Sequence, residues 1–269
     1  SNKNENNLKA PPPIRLKEKA RSIEVSQGLE MPLVDHLEEL RQRVLKSLIA
    51  ILISSGFCLL FVRKLVQALE IPAGKIQFLQ VAPGEFLFTS IKVAGYGGLT
   101  ISLPFILYQF LKFILPGLTK KEKLLIAPSV AGSAILFFLG IFFAWKALIP
   151  AALGFLISYG ADVVEPLWSI EKYLDFVLLL MLSTGLAFQL PILQLILGFF
   201  ELISWKKMLS AWRLVVMASA VAGAVLTPST DPITMLLLST SITFLFFVGI
   251  GLVALTTNLK GQIRPSFDP

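Results

Sequence analysis

Two carboxylates stand among cations: Glu39 beside Arg41 and Arg43, and Glu122 between Lys121 and Lys123. A carboxylate so placed has two options. It can pair locally, and Glu39 with Arg43 at helical i,i+4 spacing gains only about 0.3–0.5 kcal/mol. Two such carboxylates at one interface can instead clamp two guanidinium groups, each charge-assisted bond contributing about 1.5–3 kcal/mol. Spacing alone favours local pairing and leaves the clamp as the alternative. Gln189, two residues before Pro191, is the main polar group within an apolar run. It can bond between helices, reach carbonyls freed by a proline kink, or recognise a guest segment. Asp231, in Thr227-Pro228-Ser229-Thr230-Asp231-Pro232, suits the cap of a helix whose first residue is Pro232. No Ser-His-Asp order, Gly-rich phosphate loop or metal-ligand spacing occurs, so neither an enzyme nor a cofactor or metal site is expected. The one histidine, His36, reads as interfacial and the one cysteine, Cys58, as a small buried hydrophobe.

The elements that hold these residues are apolar and long. Of 269 residues, 55% are hydrophobic and 15% charged, against about 25% charged in soluble domains. The charges gather at the amino end and in short breaks between apolar runs that reach the roughly 20 residues of a membrane span. The net charge of +7 therefore speaks for orientation in a membrane rather than for nucleic acid. Residues 1–30, with Pro11-Pro12-Pro13, read as a flexible polar tail. The chain starts with Ser1 and has no apolar secretory segment, which leans toward an imported protein. From Met31-Pro32 the pattern turns helical, with Asp35 as N-cap and Glu38 as its capping-box partner. Leu33, Leu37, Leu40 and Val44 form one stripe, so an amphipathic helix leads into the first span.

Six spans are expected, near 47–62, 93–111, 124–145, 176–200, 214–226 and 233–255. The fifth is short; about 20 Å of helix faces a hydrocarbon core of about 30 Å, so it thins the bilayer locally. Pro104, Pro128 and Pro191 bend spans two, three and four. Loops 63–92 and 146–172 are apolar enough to form interfacial helices. Eighteen of the 24 Lys and Arg fall on one side, which puts both termini on the cytoplasmic or stromal side. The fold class is all-α: a polytopic membrane protein with six transmembrane helices in a concave bundle. The expected domains are the tail 1–30, a membrane domain 31–256 and a polar carboxyl tail 257–269.

Five motifs resemble the TatC family, the core subunit of the twin-arginine protein translocase. Asp35-His36-Leu37-Glu38-Glu39-Leu40-Arg41-Gln42-Arg43 resembles its amino-terminal signature, and Ala82-Pro83-Gly84-Glu85-Phe86 its first outer loop. Leu103-Pro104-Phe105-Ile106-Leu107-Tyr108-Gln109 is similar to its second span. Phe113-Ile114-Leu115-Pro116-Gly117-Leu118 with Glu122 resembles its first inner loop, and Leu226-Thr227-Pro228 the close of its fifth span. Each motif is weak alone; five in the right order over residues 31–256 are specific. The resemblance implies a receptor for signal peptides carrying two arginines, driven by the proton gradient and moving folded passengers. It implies single-span partners of the TatA and TatB type, the lipid bilayer and self-association, without nucleic acid. It also implies that Glu39 and Glu122 receive the arginines, with Arg41, Arg43, Phe113 and Pro116 beside them. Where many bacterial members carry a glutamate in span four, this chain has Gln189, as chloroplast and cyanobacterial members do. That favours a thylakoid address and argues against a titratable group there. A small secondary transporter or channel is the alternative, against which the near absence of ionisable groups inside the spans counts.

Overall fold

The computed structural model describes residues 14–74, 76–114, 126–160, 162, 167–227 and 231–263. The chain divides into two compact units, Ser1–Lys46 and Ser47–Pro269. The leading helix α1 (Ile14–Leu60) runs unbroken for 47 residues. No helix starts at Asp35. The surrounding Leu, Glu, Arg and Gln are strong helix formers, so the helix propagates through the capping signal. The stripe of Leu37, Leu40 and Val44 is exposed.

In the second unit Phe61 breaks the helix, and α2 (Val62–Glu70) follows at once. This helix is amphipathic: Val66 is buried while Arg63, Lys64 and Gln67 are exposed. A 3-10 turn, Ile71–Ala73, and a two-residue strand β1 (Phe78–Leu79) lead to the long helix α3 (Glu85–Ile114). Next come α4 (Ile126–Phe143), a π-helical turn Ala144–Leu148, and α5 (Ile149–Gly160). The π turn has a sequence cause. Pro150 has no N–H for the carbonyl four residues back, and its ring crowds that carbonyl. The helix takes up the defect with a five-residue spacing, the Ile149 N–H bonding to the Ala144 carbonyl. Span three therefore does not end near Trp145 but continues to the end of α5.

Strand β2 (Trp168–Ser169) pairs in parallel with β1, Phe78 opposite Trp168 and Leu79 opposite Ser169. Helix α6 (Ile170–Ala187) follows, capped by Ser169, whose hydroxyl accepts the Lys172 N–H. Span four breaks at Phe188-Gln189 and resumes as α7 (Leu190–Phe199), with Pro191 in its first turn. Pro128 lies near the start of the described part of α4. Pro104 does lie inside α3. A short α8 (Trp205–Ser210), α9 (Trp212–Leu226) and α10 (Pro232–Ile263) complete the described chain.

Five stretches are long and apolar enough to cross a membrane: Val34–Leu60, Glu85–Phe113, Ala127–Tyr159, Ile170–Phe199 and Pro232–Thr257. Helix α9 is apolar too but has only 15 residues, about 22 Å at 1.5 Å each. These are the six spans in the expected order. The core lies where α3, the π turn, α5, α6 and α10 meet, around Val93, Leu148, Ile149, Leu174, Val177 and Leu238. Such close contact needs small residues. A Cβ on Gly185 would come within 2.7 Å of Phe137, and one on Gly140 within 3.0 Å of the Gly185 Cα.

Candidate functional site

Glu39 lies on α1 with its side chain 37% exposed. The Arg43 guanidinium, 14% exposed, holds it through Nε at 3.1 Å and through Nη2. His36 Nδ1 stands 3.9 Å from the other carboxylate oxygen. Arg41 turns the other way and pairs with Glu38 at 3.3 Å. The one-turn spacing thus sorts the four charges into two parallel pairs, and Glu39 is fixed by the more buried arginine. Fixing the carboxylate in this way removes rotamer freedom. Phe113 is half-buried in the last turn of α3. Glu122 and Pro116 lie outside the described residues.

Gln189 is a buried node inside the spans. At the α6–α7 break its own N–H bonds back to the Leu186 carbonyl at 3.0 Å, which leaves the Gly185 carbonyl without its usual helical partner. The Gln189 side-chain amide takes that carbonyl at 3.5 Å and donates to the Ser133 carbonyl of α4 at 3.1 Å. The Ser133 hydroxyl donates to Gln189 Oε1. One neutral side chain thereby joins α4, α6 and α7. Gln194, one turn further on, donates to the Phe246 carbonyl of α10 at 3.2 Å. Its Oε1 rests against Gly249, where a Cβ would occupy the same space, and is buried without a hydrogen-bond partner among the described residues.

Asp231 is 2% exposed at the start of α10. Its Oδ1 accepts the Thr234 N–H at 2.7 Å and the Thr234 hydroxyl at 2.5 Å. On α9, the Ser219 hydroxyl meets Thr243 of α10 at 2.8 Å, tying the short span to the last one.

A fourth polar cluster escapes a reading of residue types and spacing. Glu85 opens α3 and gathers the loop around it. Its Oε2 accepts the N–H groups of Val81 at 2.5 Å and Ala82 at 3.0 Å. Its Oε1 accepts the Ser169 hydroxyl at 2.6 Å and the Glu171 N–H at 3.4 Å. The turn it closes needs Gly84 at φ +82°, a left-handed conformation that favours glycine. Two turns on, Lys92 bridges Glu171 at 2.8 Å and Asp175 at 3.1 Å on α6. Tyr173 donates to the Leu69 carbonyl at 2.6 Å, and partial burial raises the pKa of neighbouring Glu70 above that of an ordinary glutamate. Together with the strand pair, these contacts cap one end of the bundle. The signal that points to this cluster is an acid at a helix N-terminus after a Gly turn.

Among the described residues no cluster of three or more His, Cys, Asp or Glu is placed to hold a metal ion. Apolar spans joined by buried amides and hydroxyls and by the Lys92 ion pairs, with two carboxylate–arginine pairs on the leading helix, define a polytopic α-helical membrane protein. A family model described as "Sec-independent protein translocase protein (TatC)" matches residues 35–240. The Sec-independent protein translocase protein TatC of a Synechocystis strain is 57% identical over 232 residues, covering 86% of this chain and 91% of the relative. The chloroplastic TATC of Arabidopsis thaliana is 48% identical over 238 residues, covering 88% of this chain and 70% of the relative. A crystal structure described as that of a twin arginine translocase receptor, TatC, superposes with a TM-score of 0.72 at 34% identity, covering 82% of this chain and 99% of the solved one. The chain belongs to the TatC family. It is an integral membrane component of a protein translocase, not an enzyme, and it works with other subunits of that system.

Proposed function

We propose that this chain is the twin-arginine signal-peptide receptor of a thylakoid translocase, with a membrane domain over 31–256 and both termini on the stromal side. The observation that carries the reading is the Glu39 carboxylate on the leading helix, oriented by the largely buried Arg43 and itself 37% exposed. A peptide guanidinium can add two parallel N–H bonds to such a preset acceptor, whereas a lysine ammonium cannot match its fork. Glu122 supplies the second carboxylate for the second arginine. Phe113 and Pro116 match the apolar neighbours of that site in the family, Arg41 is taken up by Glu38, and Arg43 holds the Glu39 carboxylate in place. Two charge-assisted contacts at about 1.5–3 kcal/mol each give a gain of about 10² to at most about 10⁴-fold in affinity over a peptide lacking both.

The apolar part of the peptide would then lie along the spans, and the short α9 would thin the bilayer beside it. Single-span TatA- and TatB-type subunits complete the translocase, and the proton gradient supplies the work. Because Gln189 cannot titrate, the proton step does not run through that position. The chloroplastic and cyanobacterial relatives support the thylakoid address.

The test is equilibrium binding of a labelled signal peptide to the full chain in nanodiscs. A twin-arginine peptide should bind at least tenfold more tightly than its twin-lysine version, and Glu39→Gln or Glu122→Gln should erase most of that difference. Equal binding of both peptides, unaffected by either substitution, overturns the proposal.

A further inference from the structure

Near the capped end, a cavity of about 270 Å³ opens between the first four spans. Leu65 and Ala68 of α2, Tyr96 and Ile101 of α3, Trp145 of the π turn and Met181 of α6 line it. Small residues make the room: a Cβ on Gly97 would sit 3.1 Å from the Cys58 sulfur behind it. The walls are almost wholly apolar. A non-helical peptide in this space would leave its backbone N–H and C=O groups without partners, which hydrocarbon surroundings penalise heavily. An acyl chain makes no such demand.

The rim adds charge. The Trp145 indole donates to the Ala68 carbonyl at 3.1 Å and so stitches α2 to the π turn above the cavity. Lys64 precedes Ala68 by one helical turn on the exposed flank of α2, and Lys146 follows Trp145 on the exposed flank of its own helix. Neither lysine has a carboxylate partner among the described residues. Glu171 and Asp175 are engaged by Lys92, and Glu85 by the loop backbone. Glu70, six residues beyond Lys64, points about 120° away around α2. Two exposed cations therefore stand one helical turn from Ala68 and next to Trp145, the pair whose hydrogen bond closes the wall of an apolar cavity, an arrangement complementary to a molecule with a negative head and a hydrocarbon tail.

We propose that this is a binding site for an anionic diacyl lipid of the leaflet at the capped end, one acyl chain in the cavity and the headgroup between Lys64 and Lys146. The site is independent of signal-peptide recognition. A lipid here would fill the space between α2 and the spans and hold the cap against α3.

The experiment uses the full chain in nanodiscs containing phosphatidylglycerol and phosphatidylcholine, each in turn carrying a photoactivatable acyl chain, with labelled residues mapped by mass spectrometry. Labelling at Ile101, Trp145 and Met181 should be several-fold greater from phosphatidylglycerol. The double change Lys64→Gln, Lys146→Gln should bring phosphatidylglycerol labelling down to the phosphatidylcholine level, each lysine contributing at most about fivefold, the worth of one basic residue at an anionic surface. The Lys64→Arg, Lys146→Arg pair should keep it, and Ala68→Trp should reduce labelling by both lipids. The lysines are exposed, so their replacement leaves the fold intact. Equal labelling by the two lipids, indifferent to the lysines, overturns the site as adventitious chain filling. Preferential labelling of the same residues by the apolar segment of a signal peptide assigns the cavity to the passenger and also overturns it.

Discussion

Replacing Gln189 by leucine removes a buried three-way junction while keeping the side chain's bulk. Three hydrogen bonds are lost: the amide to the Ser133 carbonyl at 3.1 Å, the amide to the Gly185 carbonyl at 3.5 Å, and the Ser133 hydroxyl to Gln189 Oε1. Within membranes such bonds average about 0.6 kcal/mol each, with a maximum near 1.7. The Gly185 carbonyl at the α6–α7 break is left without a donor, whereas the Ser133 carbonyl lies inside α4 and keeps its helical bond, and the Ser133 hydroxyl can turn to its own helix. The net loss is therefore about 1–2 kcal/mol, and the melting midpoint of the purified protein should drop by roughly 2–8 °C. Gln189→Glu should cost less. A neutral carboxylic acid retains one donor and an acceptor, and burial among apolar helices keeps it neutral. The assay is thermal unfolding in one detergent at one pH, following aromatic fluorescence, for Gln189, Leu and Glu side by side. Leucine equal to or more stable than glutamine, or glutamate worse than leucine, refutes the reasoning that this amide is a structural junction.

Two other perturbations probe the frame. Glu85→Gln replaces an acceptor of four hydrogen bonds with a group that turns an NH2 toward backbone donors. It should destabilise by about 2–4 kcal/mol and speed hydrogen exchange at Val81 and Ala82, and unchanged exchange there would count against Glu85 as the anchor of the cap. Gly98→Ala puts a Cβ 2.5 Å from the Ser55 backbone nitrogen and 2.6 Å from its Cα. Backbone cannot rotate away, so the cost should be about 1–3 kcal/mol, visible in the unfolding midpoint, and Ser55→Gly should not rescue it; full rescue would mean that only the serine side chain blocks the space.

The spans were legible because a hydrocarbon core demands about 20 apolar residues in a row, a length that soluble helices and loops seldom carry. The loops that hold α2 and α5 stood out by their apolar content. The structure departs from the sequence where local signals compete. Asp35 has the chemistry of an N-cap, yet helix-forming neighbours carry α1 straight past it. Span three reads as ending near residue 145, yet the helix continues and absorbs Pro150 with a π turn. The β1–β2 pair was invisible because two-residue strands have no periodicity and their partners lie ninety residues apart in the chain. Lys92 looked like a loop charge until α3 brought it against Glu171 and Asp175 of α6. Of the site, the Glu39–Arg43 pair follows from i,i+4 spacing alone, and Gln189 was flagged by its apolar setting and by Pro191. The clamp could not follow from spacing, since its second carboxylate is 83 residues away in sequence.

The most direct test of the receptor reading is a double-mutant cycle between the peptide and Glu39. Affinities are measured in nanodiscs for the native chain and Glu39→Gln, each with a twin-arginine peptide and with one whose first or second arginine is lysine. Glu39 is more than a third exposed, so the substitution alone should change stability by no more than about 0.5 kcal/mol. The account predicts a coupling energy of at least about 1 kcal/mol with one of the two arginines. Coupling near zero with both, in a chain that still folds, would contradict it and return Glu39 to the role of a local partner for Arg43.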